Sequence, residues 1–228
     1  LRTLPGYTAP PTFGGDSAQI DAMDTCRDQA LAADILPPYF DNQTSCFRFC
    51  KARDYDVAKA FKMYADHYAW RTARGPDEMV DRGNGPVPKF LYDYKFAERA
   101  QHKVAYNHVH HKVDKLGRLV YYDRAGSLNI KQVLAIDQEE VLKAYIWDCE
   151  ATLFFRLPAC SIAARKHIGK TLTVIDLKGF GLGLLANKAA KSYLKRIITL
   201  SQDNYPEMLG KMVIINAPYV FSALWKFI

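Results

Sequence analysis

The first third of the chain carries apolar residues at helical spacing. One apolar stripe consists of Val57, Ala60, Phe61, Tyr64 and Tyr68. With Asp56 placed as an N-cap and Gly75 as a stop signal, this stripe predicts an amphipathic helix. Shorter helices are predicted from Ser17 to about Ala33 and from Gln43 to Lys51. Residues 1–85 are therefore expected to form an irregular Pro- and Gly-rich arm followed by a small helical unit.

After residue 101 the pattern changes to short runs with strand character. Val104–Val113 and Leu119–Tyr122 flank Asp114-Lys115-Leu116-Gly117, which has the composition of a tight turn, so a β-hairpin is predicted. Thr171–Leu177 and Lys211–Asn216 are apolar runs that predict two buried strands. Because a helical segment with short connections separates these two strands, they are expected to pair in parallel.

Three more helices follow from the pattern: Gln138 to Arg156, Leu184 to Leu200, and a last one opened by Pro218. Asp137 is placed to cap the first of them, and Pro158 is expected to end it. Together with the strands, these helices predict an α/β (mixed α+β) fold. In this prediction a mixed sheet flanked by helices occupies residues 86–228.

The composition excludes two broad classes of protein. Of the 228 residues, 49% are hydrophobic and 24% are charged, which is too apolar for a disordered chain and too charged for a membrane-embedded one. The net charge of +7 is unevenly spread, because residues 1–50 hold three basic and six acidic side chains. The basic remainder suits an anionic partner such as a phosphoinositide headgroup, an acidic membrane or nucleic acid, although a basic protein can also be merely soluble.

A basic stripe formed by Lys188, Lys191 and Lys195 lies opposite the apolar face of its predicted helix. A solvated helix face is the simple interpretation, and contact with an anionic membrane is the alternative. A nucleic-acid surface is disfavoured because it needs aromatic residues between the basic ones, and here the aromatic residues occupy predicted core positions.

Enzyme signatures are weak. The sequence contains neither a Gly-x-Ser-x-Gly elbow nor a phosphate-binding P-loop. Gly179-Phe180-Gly181-Leu182-Gly183 lies between a predicted strand and a helix, so a nicotinamide-binding oxidoreductase is one alternative. However, Leu184 replaces the third glycine and Asn216 replaces the acidic residue that would hold the ribose. A tight backbone bend explains these glycines better.

Histidines and cysteines supply the candidate metal ligands. His108 and His110 share one face of a predicted strand, so a haem- or metal-binding protein is a second alternative. They have no evident carboxylate or thiolate partner nearby in the sequence, which favours structural or pocket-lining histidines. Of the five cysteines, Cys46 and Cys50 are one helical turn apart but would need two further ligands. Reduced, packing cysteines are expected, and no metal site.

A series of motifs resembles one protein family. The motifs are Arg48-Phe49-Cys50-Lys51-Ala52-Arg53, Tyr55-Asp56-Val57, Trp70-Arg71, Asp114-Lys115-Leu116-Gly117-Arg118, Val120-Tyr121, Arg156-Leu157-Pro158-Ala159-Cys160-Ser161, Asp176-Leu177-Lys178-Gly179, Tyr205-Pro206-Glu207 and Ile214-Ile215-Asn216-Ala217-Pro218. In order and spacing they resemble the CRAL-TRIO lipid-binding family, and within it the yeast-type phosphatidylinositol/phosphatidylcholine transfer branch.

The resemblance implies a lipid carrier without a catalytic step and without a cofactor other than its bound phospholipid. A mixed sheet would form the floor of an apolar pocket with helices as its walls. Two acyl chains hold ~30 methylenes, each worth ~0.8 kcal/mol when removed from water, so only a large apolar cavity can match a bilayer. A cytoplasmic protein, peripheral to Golgi or endosomal membranes, is expected.

For the phosphoinositide headgroup, the resemblance implies Arg53, Asp114 and Glu207. The branch has an Arg-Lys pair where this chain has Arg53 followed by Asp54, which reverses a charge beside the expected phosphate. Arg53 and Glu207 could instead form a structural ion pair.

For a second lipid headgroup, the resemblance implies Tyr121, Thr171, Thr173 and Ser201, together with His110 and Cys149 at positions where the branch has tyrosines. A quaternary ammonium group prefers an aromatic cage, so the loss of two rings argues against phosphatidylcholine. Met208 stands where the relatives have an arginine, so a different second ligand, or none, is expected.

The resemblance also implies further chain after the last motif, including a helix that gates the pocket. This sequence ends at Ile228. A truncated domain would leave the pocket open on one side with apolar surface exposed, and a dimer or a domain swap could cover it.

Overall fold

The structure is a computed structural model that describes residues 16–37, 40, 43–76, 106–181, 187–219 and 221, without the side chains of residues 43, 44 and 46. Several predicted features lie outside the described residues. These are the N-terminal arm, the segment 77–105, the start of the helix predicted from Leu184, and most of the helix predicted after Pro218.

Three helices form the N-terminal unit, and they confirm the predictions: α1 (Ser17–Ala32), α2 (Gln43–Lys51) and α3 (Val57–Arg74). The Asp16 side chain caps α1 by accepting from the Gln19 backbone N–H, and Asp56 caps α3 in the same way. Gly75 ends α3 in the left-handed conformation with φ 63°. The apolar faces of the three helices meet in a core that includes Leu36, Phe40, Phe49, Met63 and Tyr64.

A four-stranded sheet follows, made of β1 (His108–Val113), β2 (Leu119–Asp123), β3 (Thr171–Asp176) and β4 (Leu209–Ile215). The strands lie in sequence order. The β1–β2 pair is the predicted antiparallel hairpin, and β2–β3 and β3–β4 are parallel. The predicted mixed sheet and the predicted parallel pairing of β3 with β4 are therefore confirmed.

Helices separate β2 from β3 and β3 from β4. After a 3₁₀ turn (Ala125–Ser127) come α4 (Ile130–Ala135), α5 (Gln138–Ala151), α6 (Leu157–Ala164) and, between β3 and β4, α7 (Lys188–Asn204). The Asp137 carboxylate caps α5 as predicted. Asn187 caps α7.

The prediction that Pro158 ends the helix after Arg156 is wrong. A π turn over Thr152–Arg156 joins α5 directly to α6, and the helical path continues to Ala164. Pro158 falls in the first turn of α6, where its missing N–H removes no necessary bond. Leu157 N–H donates to the Thr152 carbonyl five residues earlier, so the regular α-helical hydrogen-bond ladder is already interrupted before Pro158.

The sheet is less enclosed than predicted. Residues of β3 after Thr171 are only half-buried, and β4, predicted to be buried, is largely exposed. β4 lies at an edge of the described sheet, which leaves Met212 40% exposed. Apolar composition therefore does not signify burial in this strand.

Candidate functional site

Glu207 is the centre of a charged cluster at the start of β4. It lies in the turn between α7 and β4, with φ 59°. Its Oε2 atom is 2.6 Å from Lys170 Nζ and 3.7 Å from Lys51 Nζ. Burial alone would raise the pKa of Glu207, but hydrogen bonds and charge from the two lysines lower it overall. The end of α2 and the segments before β3 and β4 thus meet at one carboxylate.

Arg48 of α2 links the segments that precede β3 and β4 through hydrogen bonds to their backbones. Its buried guanidinium donates to the carbonyl oxygens of Glu207 at 2.9 Å and of Gly169. Burial lowers the pKa of Arg48 to about 10, which still leaves it charged at neutral pH, and the nearby Glu207 carboxylate favours that charge. Arg48 therefore positions the cluster and is closed off from solvent.

Asp114 organises the β1–β2 turn. Its Oδ1 accepts from the backbone N–H groups of Leu116 and Arg118, both at 2.9 Å, and its Oδ2 accepts from the Arg118 guanidinium at 2.7–2.8 Å. Desolvation opposes ionisation, but these bonds outweigh it and lower the pKa of Asp114. A Cβ atom added at Gly210 would lie 3.5 Å from Arg118 Nη1 and 2.9 Å from Lys170 Cβ. Arg118 and Lys170 therefore converge at the start of β4.

These residues form what we call the cationic cluster: Lys51, Asp114, Arg118, Lys170 and Glu207. Its basic side chains outnumber its carboxylates, and buried Arg48 adds positive charge beneath it. Lys51 and Lys170 are 41% and 32% exposed, so their ammonium groups can reach a ligand. An anion of phosphate size could bind here in exchange for one of the ion pairs.

Arg53 lies in the turn after α2, two residues after Lys51, and donates to the Ala52 carbonyl at 2.9 Å. The alternative of a structural ion pair between Arg53 and Glu207 is not found among the described residues, where Glu207 pairs with Lys51 and Lys170. Sequence reasoning missed both lysines as site residues. Lys51 lies in the same motif as Arg53 and could have been considered, whereas Lys170 carries no motif signal.

A second group of polar side chains lies between the sheet and helices α5 and α7. His110 Nε2 is 3.0 Å from Asp148 Oδ2, and the His110 ring lies 4.9 Å from the ring of Tyr121. Tyr121 pairs in register with Thr173 across β2 and β3. Arg156 donates to Asp148 Oδ1 at 2.8 Å.

The α7 side of this group is supplied by Ser201. The hydroxyl oxygens of Tyr145 and Ser201 lie 2.5 Å apart, and Ser201 also donates to the Ile197 carbonyl. Burial raises the pKa of the Cys149 thiol, with a further contribution from Asp148, so this thiol is protonated at neutral pH. Burial likewise raises the pKa of the Tyr121 hydroxyl. Tyr121 and Cys149 are therefore neutral at physiological pH.

We call this second group the inner polar cluster: His110, Tyr121, Tyr145, Asp148, Cys149, Arg156, Thr173 and Ser201. The structure thus brings together five of the residues that sequence reasoning assigned to a second headgroup. Tyr145, Asp148 and Arg156 were missed. The spacing of Tyr145 and Asp148 relative to Cys149 on one predicted helix was the available signal.

Thr171 connects the two clusters. It is buried and donates from Oγ1 to the Met208 carbonyl at 3.2 Å, next to Glu207. Thr173 lies two residues further along β3 on the same face, a distance of ~7 Å. The cationic cluster therefore lies at the starts of β3 and β4, next to the end of the sheet face that carries Thr171 and Thr173.

Apolar side chains continue this face toward β4. The register places Met212 opposite Thr173 and Ile214 opposite Ile175, and all three apolar side chains are half-buried or exposed. Packed core residues of a filled interior would instead be almost fully buried. The face beside the two polar clusters is therefore an open apolar floor.

The described residues give no support to the metal-binding alternative. Over the described ranges, no group of three or more His, Cys, Asp or Glu side chains is arranged to hold a metal ion. His110 is engaged by Asp148, and His108 Nδ1 lies 3.1 Å from the Tyr106 carbonyl oxygen. The Cys46 side chain lies outside the described residues.

The glycine segment makes a turn at its first residue. Phe180 N–H donates to the Leu177 carbonyl across Gly179, which has φ 88°, and Gly183 lies outside the described residues.

Among the helices that the structure describes, none is long and apolar enough to cross a bilayer.

Comparison with known proteins gives matches over most of the chain. Residues 104–228 match the CRAL/TRIO domain, and residues 40–66 match the CRAL/TRIO N-terminal domain. The chain is 34% identical over 214 residues to the phosphatidylinositol/phosphatidylcholine transfer protein SFH12 of Arabidopsis thaliana, which covers 92% of this chain and 37% of that protein. It is 33% identical over 227 residues to the SEC14 cytosolic factor of Candida glabrata, covering 99% of this chain and 70% of that protein.

A solved structure shows the same fold. The crystal structure of Sfh5 superposes with a TM-score of 0.65 at 16% identity, covering 95% of this chain and 76% of that chain. At this identity the likeness concerns the fold alone. The chain spans little more than a third of the length of the plant relative.

Proposed function

The chain belongs to the CRAL/TRIO family, and from that premise we propose that it binds a phospholipid and carries it between membranes. The observation that carries the proposal is one sheet face with an inner polar cluster and an open apolar floor, and a cationic cluster at the starts of β3 and β4 next to it. A diacyl phospholipid has the same sequence of parts, with a charged phosphate, polar headgroup atoms and acyl chains. The names of the relatives above support the same function. No covalent step is part of it.

Phosphatidylinositol is the lipid that we propose for the cationic cluster. Lys51 and Lys170 would meet the phosphate, because both are partly exposed and share only one carboxylate, Glu207. Arg53 follows Lys51 by two residues, in the turn after α2, and would add charge at the rim. Asp114 and Glu207 would accept bonds from inositol hydroxyl groups in exchange for part of their present contacts.

The inner polar cluster would hold the headgroup of a second phospholipid. Tyr121, Thr173 and Ser201 present hydroxyl groups there, and Thr171 lies at the boundary with the first site. At the two positions where the branch has further tyrosines, this chain has His110 and Cys149, so no tyrosine ring is available at either. We therefore propose a second phospholipid other than phosphatidylcholine.

Lipid extraction from the purified protein tests the proposal. The protein is expressed, purified without detergent and extracted with organic solvent, and the extract is analysed by mass spectrometry. We expect phosphatidylinositol at a substantial fraction of protein stoichiometry, and transfer of labelled phosphatidylinositol from donor to acceptor vesicles. An extract free of phospholipid together with no vesicle-to-vesicle transfer would refute the function.

Cellular placement is a separate prediction. A carrier of this kind would be peripheral to Golgi or endosomal membranes, and a fluorescent fusion imaged with organelle markers tests it. A fluorescent signal that overlaps neither the Golgi nor the endosomal marker would contradict this placement. The binding proposal would still be tested by the lipid extract.

A further inference from the structure

Helix α7 presents to solvent a face whose side chains are basic and apolar. The buried side of the helix is formed by Ala190, Tyr193 and Asn204. Lys188, Lys191 and Lys195 lie on the opposite side and are exposed. Because residues three and four apart are neighbours on a helix surface, these lysines form one continuous stripe.

Two aliphatic side chains border this stripe. Leu194 and Ile198 are 39% and 48% exposed, and they lie one helical turn apart. Leu194 neighbours Lys191, and Ile198 neighbours Lys195, at a spacing of three residues each. The exposed face of α7 therefore combines lysines with two neighbouring apolar side chains, as helices that lie at a membrane surface do.

The charge on this stripe is not neutralised inside the protein. On the other flank of α7, Arg196 pairs with Glu139 of α5 at 2.8 Å, and Arg74 of α3 pairs with the same carboxylate. By contrast, Lys188, Lys191 and Lys195 form no ion pair among the residues that the structure describes. Their charge is therefore available to an external anionic surface.

We propose that the exposed face of α7, comprising Lys188, Lys191, Leu194, Lys195 and Ile198, is the surface by which the protein docks on an anionic bilayer. This inference rests on the proposed function, since a lipid carrier must touch the membranes that it serves. The lysines match anionic headgroups, and the two aliphatic side chains insert at the level of the upper acyl chains. A protein partner fits less well, because two aliphatic side chains supply only a small part of the ~800 Å² that a stable protein interface buries on each side.

Vesicle co-sedimentation tests the docking face. The wild type is compared with a variant carrying Lys188→Gln, Lys191→Gln and Lys195→Gln, on vesicles of phosphatidylcholine with phosphatidylserine and on vesicles of phosphatidylcholine alone. Each lysine near an anionic surface contributes about fivefold to partitioning, so we expect the variant to bind the anionic vesicles roughly a hundredfold more weakly. Wild-type binding should also fall steeply as the salt concentration rises from ~0.05 M to ~0.5 M.

A matched control removes the same charge elsewhere. Lys62, Lys166 and Lys178 are exposed and lie outside α7, and their joint replacement by Gln should weaken binding much less. Equal loss in the two triple variants would overturn the proposal, because net charge and not this face would then govern binding. Leu194→Ser with Ile198→Ser should further lower binding to anionic vesicles.

Two measurements separate this inference from the function beneath it and from another occupant. The lysine variant should retain its bound phospholipid and its melting temperature, because its substitutions change only the docking face. A wild-type protein from which no phospholipid is extracted would refute the proposed function, whereas the vesicle assay alone tests the docking face. Light scattering before and after substitution reports on a second copy of the chain. A wild-type dimer that becomes monomeric in the Leu194→Ser, Ile198→Ser variant would overturn membrane docking in favour of self-association.

Discussion

The Arg71–Glu150 ion pair joins the N-terminal helices to the CRAL/TRIO domain, and its loss should be costly. Arg71 of α3 donates to both carboxylate oxygens of Glu150 of α5, at 2.8 and 2.7 Å. Their side chains are 2% and 0% exposed. Tyr205 donates a third bond to Glu150 at 2.8 Å, and the Phe40 ring lies 4.8 Å from the guanidinium. The carboxylate therefore depends on protein groups for its stabilisation.

Replacing Arg71 by Met should lower the free energy of unfolding by about 3–5 kcal/mol, because the Glu150 carboxylate would be left buried without its cation. For a chain of this size, that corresponds to a fall in melting temperature of about 6–20 °C. Urea unfolding followed by circular dichroism measures the free energy, and Trp fluorescence gives a second probe of whether the transition is two-state.

The same helix offers a matched control. Arg74 of α3 also pairs with a glutamate of α5, Glu139 at 2.8 Å, but both side chains are about half exposed. Arg74→Met should therefore cost less than about 1 kcal/mol. Equal effects of Arg71→Met and Arg74→Met would refute the reasoning that burial sets the cost. The double variant Arg71→Met, Glu150→Leu should recover most of the loss, since it leaves no buried charge unpaired.

Three further predictions concern the clusters and the backbone near them. Lys170→Gln should lower phosphatidylinositol transfer by about tenfold or more, because a charged bond to phosphate is lost, whereas Lys178→Gln should leave the rate near wild type. Burial raises the pKa of Asp148, but the hydrogen bonds and charges of His110 and Arg156 outweigh burial and lower it overall. The Asp148 carboxylate therefore stabilises the fold fully above its unfolded pKa of ~3.9, and this stabilisation is lost as the pH falls below that value. The stability difference between wild type and Asp148→Asn, followed by urea unfolding, should therefore shrink below pH ~4; a constant difference would contradict this. Gly126→Ala should destabilise the protein by about 1–3 kcal/mol, because its Cβ would clash with the Lys178 backbone carbonyl oxygen. Gly181→Ala, whose Cβ would meet nothing within 4 Å, should cost far less, as measured by thermal unfolding.

Local signals in the sequence were sufficient for most of the fold. Asp56 and Asp137 cap the helices that they were predicted to cap, and Gly75 ends α3, because capping depends on the few residues beside it. Pro158 misled the prediction because a proline gives the same sequence signal after the end of a helix and in the first turn of the next one. The family that the motifs resemble is confirmed by the match over residues 104–228.

The site was predicted less completely than the fold. Residues carried over by motif, such as His110, Tyr121 and Ser201, do lie in one region, but their roles in lipid binding stay predictions. Lys170 was missed because it enters its cluster through a tertiary contact with Glu207, 37 positions away, whereas Arg156 pairs with Asp148 eight positions earlier on the same predicted helix and was overlooked. The spacing of residues in a sequence does not predict which side chains meet in the folded protein when they lie far apart along the chain, unless a known motif includes both of them.

Asp54 illustrates how the charge of a site can survive a reversal at one position. Its side chain is exposed, and its negative charge contributes, after Asp56, to raising the pKa of Lys59 at the start of α3. Lys170, by contrast, lies 2.6 Å from Glu207 inside the cationic cluster, where it is partly shielded from solvent. Solvent screens an exposed charge such as Asp54 over ~8 Å, whereas partly buried charges are screened less. The positive potential at Glu207 is therefore set by its direct neighbours Lys170 and Lys51 and by buried Arg48. Loss of a basic residue at position 54 is therefore compatible with binding of an anionic headgroup at this cluster.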